Sequence, residues 1–142
     1  MPLQTMDAVE IEAFLGEREA GVLALADGDH GYGIPVSFAY DGDRAAFHFR
    51  FGYAADSQKR RFVDATTTAT FVVYDRTDGD WASVVAEGTL TALSSGAVDS
   101  AVEEAVRNLE IPFFEVHAGE ASDLEFDVVR LEASKLTGIR EG

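Results

Sequence analysis

The 142-residue chain is 46% hydrophobic and carries ten Phe, four Tyr and one Trp, which excludes a disordered acidic polypeptide and fits one domain over residues 1–142. Twenty-six Asp and Glu against eleven Lys and Arg give a formal charge of −15, which excludes nucleic acid or an anionic membrane as the main partner. With no cysteine, disulfide and thiolate chemistry are excluded as well. The N-terminus lacks a basic flank followed by an apolar run, and no stretch approaches the ~18 apolar residues of a membrane span, so a soluble, cytoplasmic protein is expected. Lys59 and Lys135 are the only lysines. Abundant carboxylates with scarce lysine suit a high-salt, halophilic interior, where screening over about 3 Å at molar ionic strength removes most self-repulsion. An ordinary acidic protein is the alternative.

Asp7 followed by Glu10 reads as an N-cap with its acid three residues on, opening a helix that buries Ile11, Phe14 and Leu15 and ends at Gly21. Val22–Ala26 and Ile34–Tyr40 are then strands around Asp27-Gly28-Asp29-His30-Gly31. Asp41-Gly42-Asp43 is expected to be a hairpin turn using a positive φ at the glycine, with Ala45–Arg50 as its partner strand. Residues 57–64 read as a helix capped by Ser57. Thr66–Tyr74 is dense in β-branched and aromatic residues and reads as a buried strand. Asp78-Gly79-Asp80 turns into a long strand from Trp81 to about Leu93. Val98, Val102, Val106 and Leu109 mark a helix ended by Pro112. Phe126–Leu131 and the tail through Ile139 return to strand. Six or seven strands with short Asp-Gly turns and three helices predict a mainly β fold, an antiparallel barrel or sandwich with flanking helices.

Charge is unevenly placed. Between Arg50 and Arg61 lie Arg50, Lys59, Arg60 and Arg61 against Asp56 alone, a net +3, so the rest of the chain carries −18. Small residues there, and a helix start at Ser57, would let an anion approach backbone N–H groups. From charge alone, the same segment reads equally as a solvated loop whose arginines pair with nearby acids. Just before it, Tyr32-Gly33-Ile34-Pro35-Val36-Ser37-Phe38 puts a proline inside a strand, which implies an edge or irregular position. Freed backbone groups and Ser37 can bond the rim of a planar heterocycle, or the proline can mark a bulge that only curves the wall.

Gly31–Asp43, Phe47-His48-Phe49, Ser57-Gln58-Lys59 and Trp81–Gly88, in this order, resemble the pyridoxamine 5′-phosphate oxidase-like flavoproteins, whose fold is the FMN-binding split β-barrel. The ending Leu131-Glu132-Ala133 to Thr137-Gly138 is also similar. The resemblance implies FMN held at the two-fold interface of a homodimer. Ile34, Pro35, Val36 and Ser37 would line the isoalloxazine and offer main-chain bonds. His48, Phe49 and Arg50 match the strand end leading to the ribityl phosphate, and Ser57 and Lys59 match the phosphate-binding Ser-x-Lys pair. Trp81, Ser83 and Val84 match the strand that the second subunit places against the flavin. Many relatives carry a small hydroxyl residue where Phe49 stands, and Arg50 is the expected substitute donor. Pyridoxamine phosphate oxidases proper have a C-terminal segment rich in basic and histidine residues. This chain ends Thr137-Gly138-Ile139-Arg140-Glu141-Gly142, so oxidation of pyridoxamine phosphate is not expected.

His30, His48 and His117 lack metal-ligand spacing, and no metal site is expected. Ser37, Ser57 and Ser83 lack a nucleophile-elbow setting. The residues name no general base. The reading is an FMN-dependent oxidoreductase acting on a small molecule, with the flavin supplying the redox chemistry. The alternatives are a deazaflavin in place of FMN, or a non-catalytic flavin-binding redox sensor.

Overall fold

The computed structural model describes residues 2–53, 58–93 and 125–142. The expected helix around Val98–Leu109, Ser57 and His117 lie outside these residues. In chain order the elements are β1 (Leu3–Thr5), α1 (Ala8–Gly16), β2 (Ala20–Asp27), β3 (His30–Asp41), β4 (Ala46–Tyr53), α2 (Gln58–Ala65), β5 (Thr68–Thr77), β6 (Asp80–Leu93) and β7 (Glu125–Glu141).

All strand pairs are antiparallel, in the order β1-β7-β4-β3-β2-β5-β6, and a β6–β7 pairing closes the sheet into a barrel. Closure gives each of the six long strands a neighbour on both sides, for two of the seams over only part of the strand length. Two seams are short. β3 and β4 pair only from Phe38↔Phe49 to Asp41↔Ala46, and β2 and β5 only over Val22–Ala24 against Thr70–Val72. These short seams are the splits of a split β-barrel, as the sequence suggested.

Alternation along each strand turns one set of side chains inward. Phe38, Phe47, Phe49 and Phe71 meet at centroid distances of 4.9–5.8 Å, in mostly edge-on or tilted geometry. Phe51, Leu23, Leu131, Val36 and Val73 complete the interior. Burying each such side chain contributes about 1.5–3 kcal/mol.

Turn chemistry sets the registers. A positive φ at Gly28 alone fits a type II′ turn between β2 and β3, and positive φ at both Asp78 and Gly79 fits a type I′ turn between β5 and β6. The β3–β4 connection departs from expectation. Its loop spans residues 42–45, and the positive φ falls on Ala45 rather than Gly42. A four-residue loop built on a type I turn needs its left-handed residue at the end, not at the first position. Where β6 meets β7 the register shifts between Glu87 and Gly88, leaving Ser134 as an extra residue on β7. A Cβ on Gly88 would lie 1.8 Å from the Glu132 carbonyl oxygen, so only glycine permits this approach.

α1 begins with the expected capping box, in which Glu10 N–H donates to Asp7 Oδ1 at 2.8 Å. It ends at Gly16, not Gly21. Gly21 lies in β2, where a Cβ would meet the Val72 carbonyl oxygen at 2.6 Å and the Phe71 ring. The glycine serves close packing of strands, not a helix stop. Arg18 clamps α1 to the barrel, lying 4.2 Å above the Phe14 ring and donating to Thr77 Oγ1 at 2.8 Å. α2 covers the end of the β2–β3 hairpin, with Phe62 4.8 Å from Tyr32 and 5.1 Å from His30. Thr66, expected to open a strand, instead ties α2 down. Its Oγ1 accepts from Ala26 N–H at 3.0 Å and donates to the Phe62 carbonyl at 2.6 Å. β1 was not expected, because three exposed residues carry no pattern; it adds to the edge of β7 opposite β6. Among the described residues, no helix is long and apolar enough to cross a membrane.

Candidate functional site

Pro35 sits in regular register opposite Val22, so it marks no bulge. Counting from the closing pair Asp27↔His30, this is a non-hydrogen-bonded position, and the N–H that proline lacks would face β4. β4 pairing starts only at Phe38, so no ladder bond is lost. The proline therefore occupies the lip of the β3–β4 seam.

Strand alternation sorts the candidate residues into two sets. Ile34, Val36, Phe49 and Val84 are buried in the barrel interior, and what they offer a ligand is main chain. Pro35, Ser37, His48, Arg50, Trp81 and Ser83 belong to the outer face. Extending the β3–β4 register past Phe38↔Phe49 puts Ser37 across the seam from Arg50.

The outer face of β3, β2, β5 and β6 is apolar. Pro35, Val22, Val72 and Val85 form one cross-strand row. Val22 is 36% exposed, and the face continues to Tyr74, Trp81 and Ile139, which are 58%, 49% and 46% exposed. Trp81 stands 6.2 Å from the Tyr74 ring with the Arg76 guanidinium 5.6 Å from its own. Leu3, Tyr74, Trp81, Ser83 and Ile139 border a shallow groove of about 280 Å³. At one strand spacing of about 4.8 Å, the row puts Pro35 and β6 about 14 Å apart, so Trp81 and Ser83 do not meet Pro35 and Ser37 within one chain.

Of the positively charged segment, β4 carries Arg50 and α2 carries Lys59, Arg60 and Arg61. Lys59, in the first turn of α2, is 2% exposed, and its Nζ lies 6.0 Å from the Phe51 ring centroid. Arg61 instead pairs with Asp27 at 3.8 Å, with both side chains more than half exposed, as the solvated-loop reading expects. His48 is 2% exposed although it is on the outer face. It accepts a hydrogen bond at its Nε2 from Arg130 Nε at 2.9 Å, which puts the ring proton on Nδ1. Arg130 is opposite His48 in the β4–β7 ladder, and its Nη1 lies 3.8 Å from Glu132. Its Nη2 is buried without a hydrogen-bond partner among the described residues. Sequence reading missed Arg130. Its partner is 82 residues away in the chain, and only strand pairing reveals it.

A second crevice, of about 340 Å³, lies between α1 and the β5–β6 turn at the other end of β7. Its Arg18 and Arg140 are engaged by Asp75 and Glu10 at 3.2 and 2.6 Å. Among the described residues, no three His, Asp or Glu side chains are grouped to hold a metal ion.

The family model for pyridoxamine 5′-phosphate oxidase matches residues 7–140. No curated protein sequence matches. Among solved structures, an FAD-binding protein from Mesorhizobium loti superposes with a TM-score of 0.71 at 19% identity, covering 100% of both chains. An FAD-binding protein from Mycobacterium smegmatis gives 0.67 at 17% identity, covering 98% of this chain and 100% of that one. A flavocytochrome from Azotobacter vinelandii gives 0.65 at 16% identity, covering 99% of this chain and 70% of the other. At these identities the superpositions establish the shared fold.

Proposed function

Because the chain belongs to the pyridoxamine 5′-phosphate oxidase family, we propose that it binds FMN non-covalently at a homodimer interface and acts as an oxidoreductase on a small molecule. The observation that carries this reading is an exposed apolar face that reaches the β3–β4 seam, where Ser37 lies across from Arg50, in a sequence whose segment from Arg50 to Arg61 carries +3 on a chain of net charge −15. A ligand with a flat apolar body and an anionic end has that complementarity. The fold is shared with proteins described as FAD-binding and with a flavocytochrome, which supports a flavin in particular.

The residues present fit such a group. Main chain of Ile34–Ser37 and the Ser37 hydroxyl would bond the polar rim of the ring system. Arg50, Lys59 and Ser57 would hold the phosphate, with Arg50 gripping two oxygens through its planar fork. His48 and Phe49 would fix the strand between these ends. A bound flavin would supply hydride and electron transfer. The chain itself supplies orientation and a dry face.

The roughly 14 Å between Pro35 and β6 argues for a second copy. Two-fold pairing of the apolar outer faces would set Trp81 and Ser83 of one copy over Pro35 and Ser37 of the other. It would also cover Tyr74, Val22 and Ile139. Protein purified in molar salt is expected to be yellow and dimeric by sedimentation. Mass spectrometry of the released chromophore separates FMN from FAD and from a deazaflavin. A colourless preparation that also fails to take up added FMN overturns the reading, and a monomer with full flavin affinity overturns the shared site. Arg50→Ala and Lys59→Ala are each expected to weaken FMN binding by about 1.5–3 kcal/mol, the worth of a charged hydrogen bond. Reduction of the bound flavin by a nicotinamide nucleotide, followed by turnover with an electron acceptor, distinguishes an enzyme from a redox sensor.

A further inference from the structure

The crevice of about 340 Å³ between α1 and the β5–β6 turn has no part in the flavin reading. Ala82 and Arg140, a facing pair of β6 and β7, line it on the side of the sheet that α1 covers, where a Cβ on Gly138 would meet Ile11 and Met6. The Pro35–Ser37 lip belongs to the β3–β4 seam instead. The crevice has the volume of a pocket for a small organic molecule. Buried Met6, Phe14 and Ala82 give it an apolar lining, and half-exposed Trp81 borders it. Five carboxylates and two guanidinium groups also line it, a net charge of −3. Both cations are committed. Arg140 Nε lies 2.6 Å from Glu10, and Arg18 Nε lies 3.2 Å from Asp75 with its guanidinium 4.2 Å above the Phe14 ring. Asp78 and Asp80, by contrast, make no ion pair among the described residues.

We propose that this crevice is a second ligand site, for a small organic cation whose ammonium group lies at Asp78 and Asp80 and whose ring-sized apolar body lies over Met6, Phe14 and Ala82. A cleft with apolar walls focuses the field of its carboxylates, so a monocation gains more there than on an open acidic surface. The walls already seat cations of the chain on aromatic rings, Arg18 over Phe14 and Arg76 at 5.6 Å from the Trp81 ring centroid. Turn geometry does not require the acid at position 78. Asp78 takes a positive φ of 54°, which asparagine adopts as readily, so the carboxylate can be removed with the turn kept. The proposal stands whether or not the barrel holds a flavin.

The probe is benzylammonium, titrated into the full chain by calorimetry at fixed KCl, with benzyl alcohol and benzoate as its neutral and anionic counterparts. Benzylammonium is expected to bind in the millimolar range, the alcohol several-fold more weakly and benzoate not at all. The double variant Asp78→Asn/Asp80→Asn should lose about fivefold in benzylammonium affinity. Asp29→Asn/Asp64→Asn removes the same charge from the β2–β3 turn and α2, at the other end of the barrel, and should lose little. Ala13→Arg, an exposed α1 position lining the crevice, puts a guanidinium of the chain's own there and should abolish binding with the melting temperature kept. Saturating FMN should leave benzylammonium affinity unchanged. Absence of benzylammonium binding, equal binding of the alcohol, or equal losses in the two double variants overturns the proposal. Binding that survives Ala13→Arg, or that FMN displaces, puts the cation elsewhere and overturns it as well.

Discussion

Glycine and tyrosine positions show how single residues are constrained here. Gly88 faces the Glu132 carbonyl so closely that Gly88→Ala must displace β7 at its bulge. The expected cost is above about 3 kcal/mol, in the range of severe packing defects, measured by urea denaturation. Gly31 has open space where its Cβ would be and no positive φ, so Gly31→Ala should be neutral or raise stability by under about 1 kcal/mol. Burial, with Glu12 and Asp41 nearby, pushes the Tyr40 hydroxyl above its usual 10.0. The folded state thus holds this proton more tightly than the unfolded chain does. The resulting stability is complete below pH ~10 and is lost as pH rises through the folded-state value. In an alkaline titration followed at 295 nm, Tyr40→Phe should remove a tyrosine that ionises above the usual value and flatten the stability loss above pH ~10. An unchanged profile would show that Tyr40 ionises like a surface tyrosine. Glycine was also where the sequence misled most. Gly21 and Gly42 look alike as breakers, yet Gly21 makes room for the Val72 carbonyl and Gly42 leaves the positive φ to Ala45. A glycine in a sequence does not say whether it is there for rotation, as at Gly28, for space, as at Gly21, or for neither, as at Gly31.

At the scale of elements, the turn chemistry made most of the barrel legible. Asp27-Gly28 and Asp78-Gly79 separate strands of matching polarity pattern, and the structure returns both hairpins as two-residue turns. The capping box located α1 for the same local reason. What stayed hidden depends on pairs distant in sequence. The Arg130–His48 bond, the β6–β7 closure and the seating of α2 by Thr66 all join segments 35 or more residues apart. For the site this mattered more than for the fold: sequence order marked the β3 and β4 residues, but only strand alternation separates Ser37 and Arg50 from the inward Val36 and Phe49. α2 links the two scales, since it carries Lys59 and is tied to β2 through Thr66. Thr66→Val keeps the shape but strands the Ala26 N–H, with an expected cost of about 1–3 kcal/mol. Because the loosened helix carries Lys59, FMN affinity should fall with it, and an unchanged affinity alongside lowered stability would show that the ammonium is held by its own surroundings.

The whole molecule is governed by the division of its charge. About −18 lies outside the segment from Arg50 to Arg61, and that segment carries +3. Carboxylates spread over a closed barrel repel one another across a Debye length of about 10 Å at 0.1 M salt, and this falls to about 3 Å at 1 M. Folding concentrates these charges, so relief of repulsion favours the folded state. The melting temperature is therefore expected to climb between 0.1 and 2 M KCl. Neutralising the exposed acids Glu19, Asp29 and Asp64 to amides should raise the low-salt value and reduce the slope, which separates charge relief from any general effect of salt on apolar burial. At the cationic cluster the same salt acts in the opposite direction. Potassium chloride that steadies the barrel also screens Arg50 and Lys59 from a phosphate, so FMN affinity should decline as stability rises. Riboflavin, with no phosphate to screen, should follow stability alone. A flat melting temperature in KCl would remove the adaptation to high salt, and identical salt dependences for the two flavins would remove the cation cluster from the binding site.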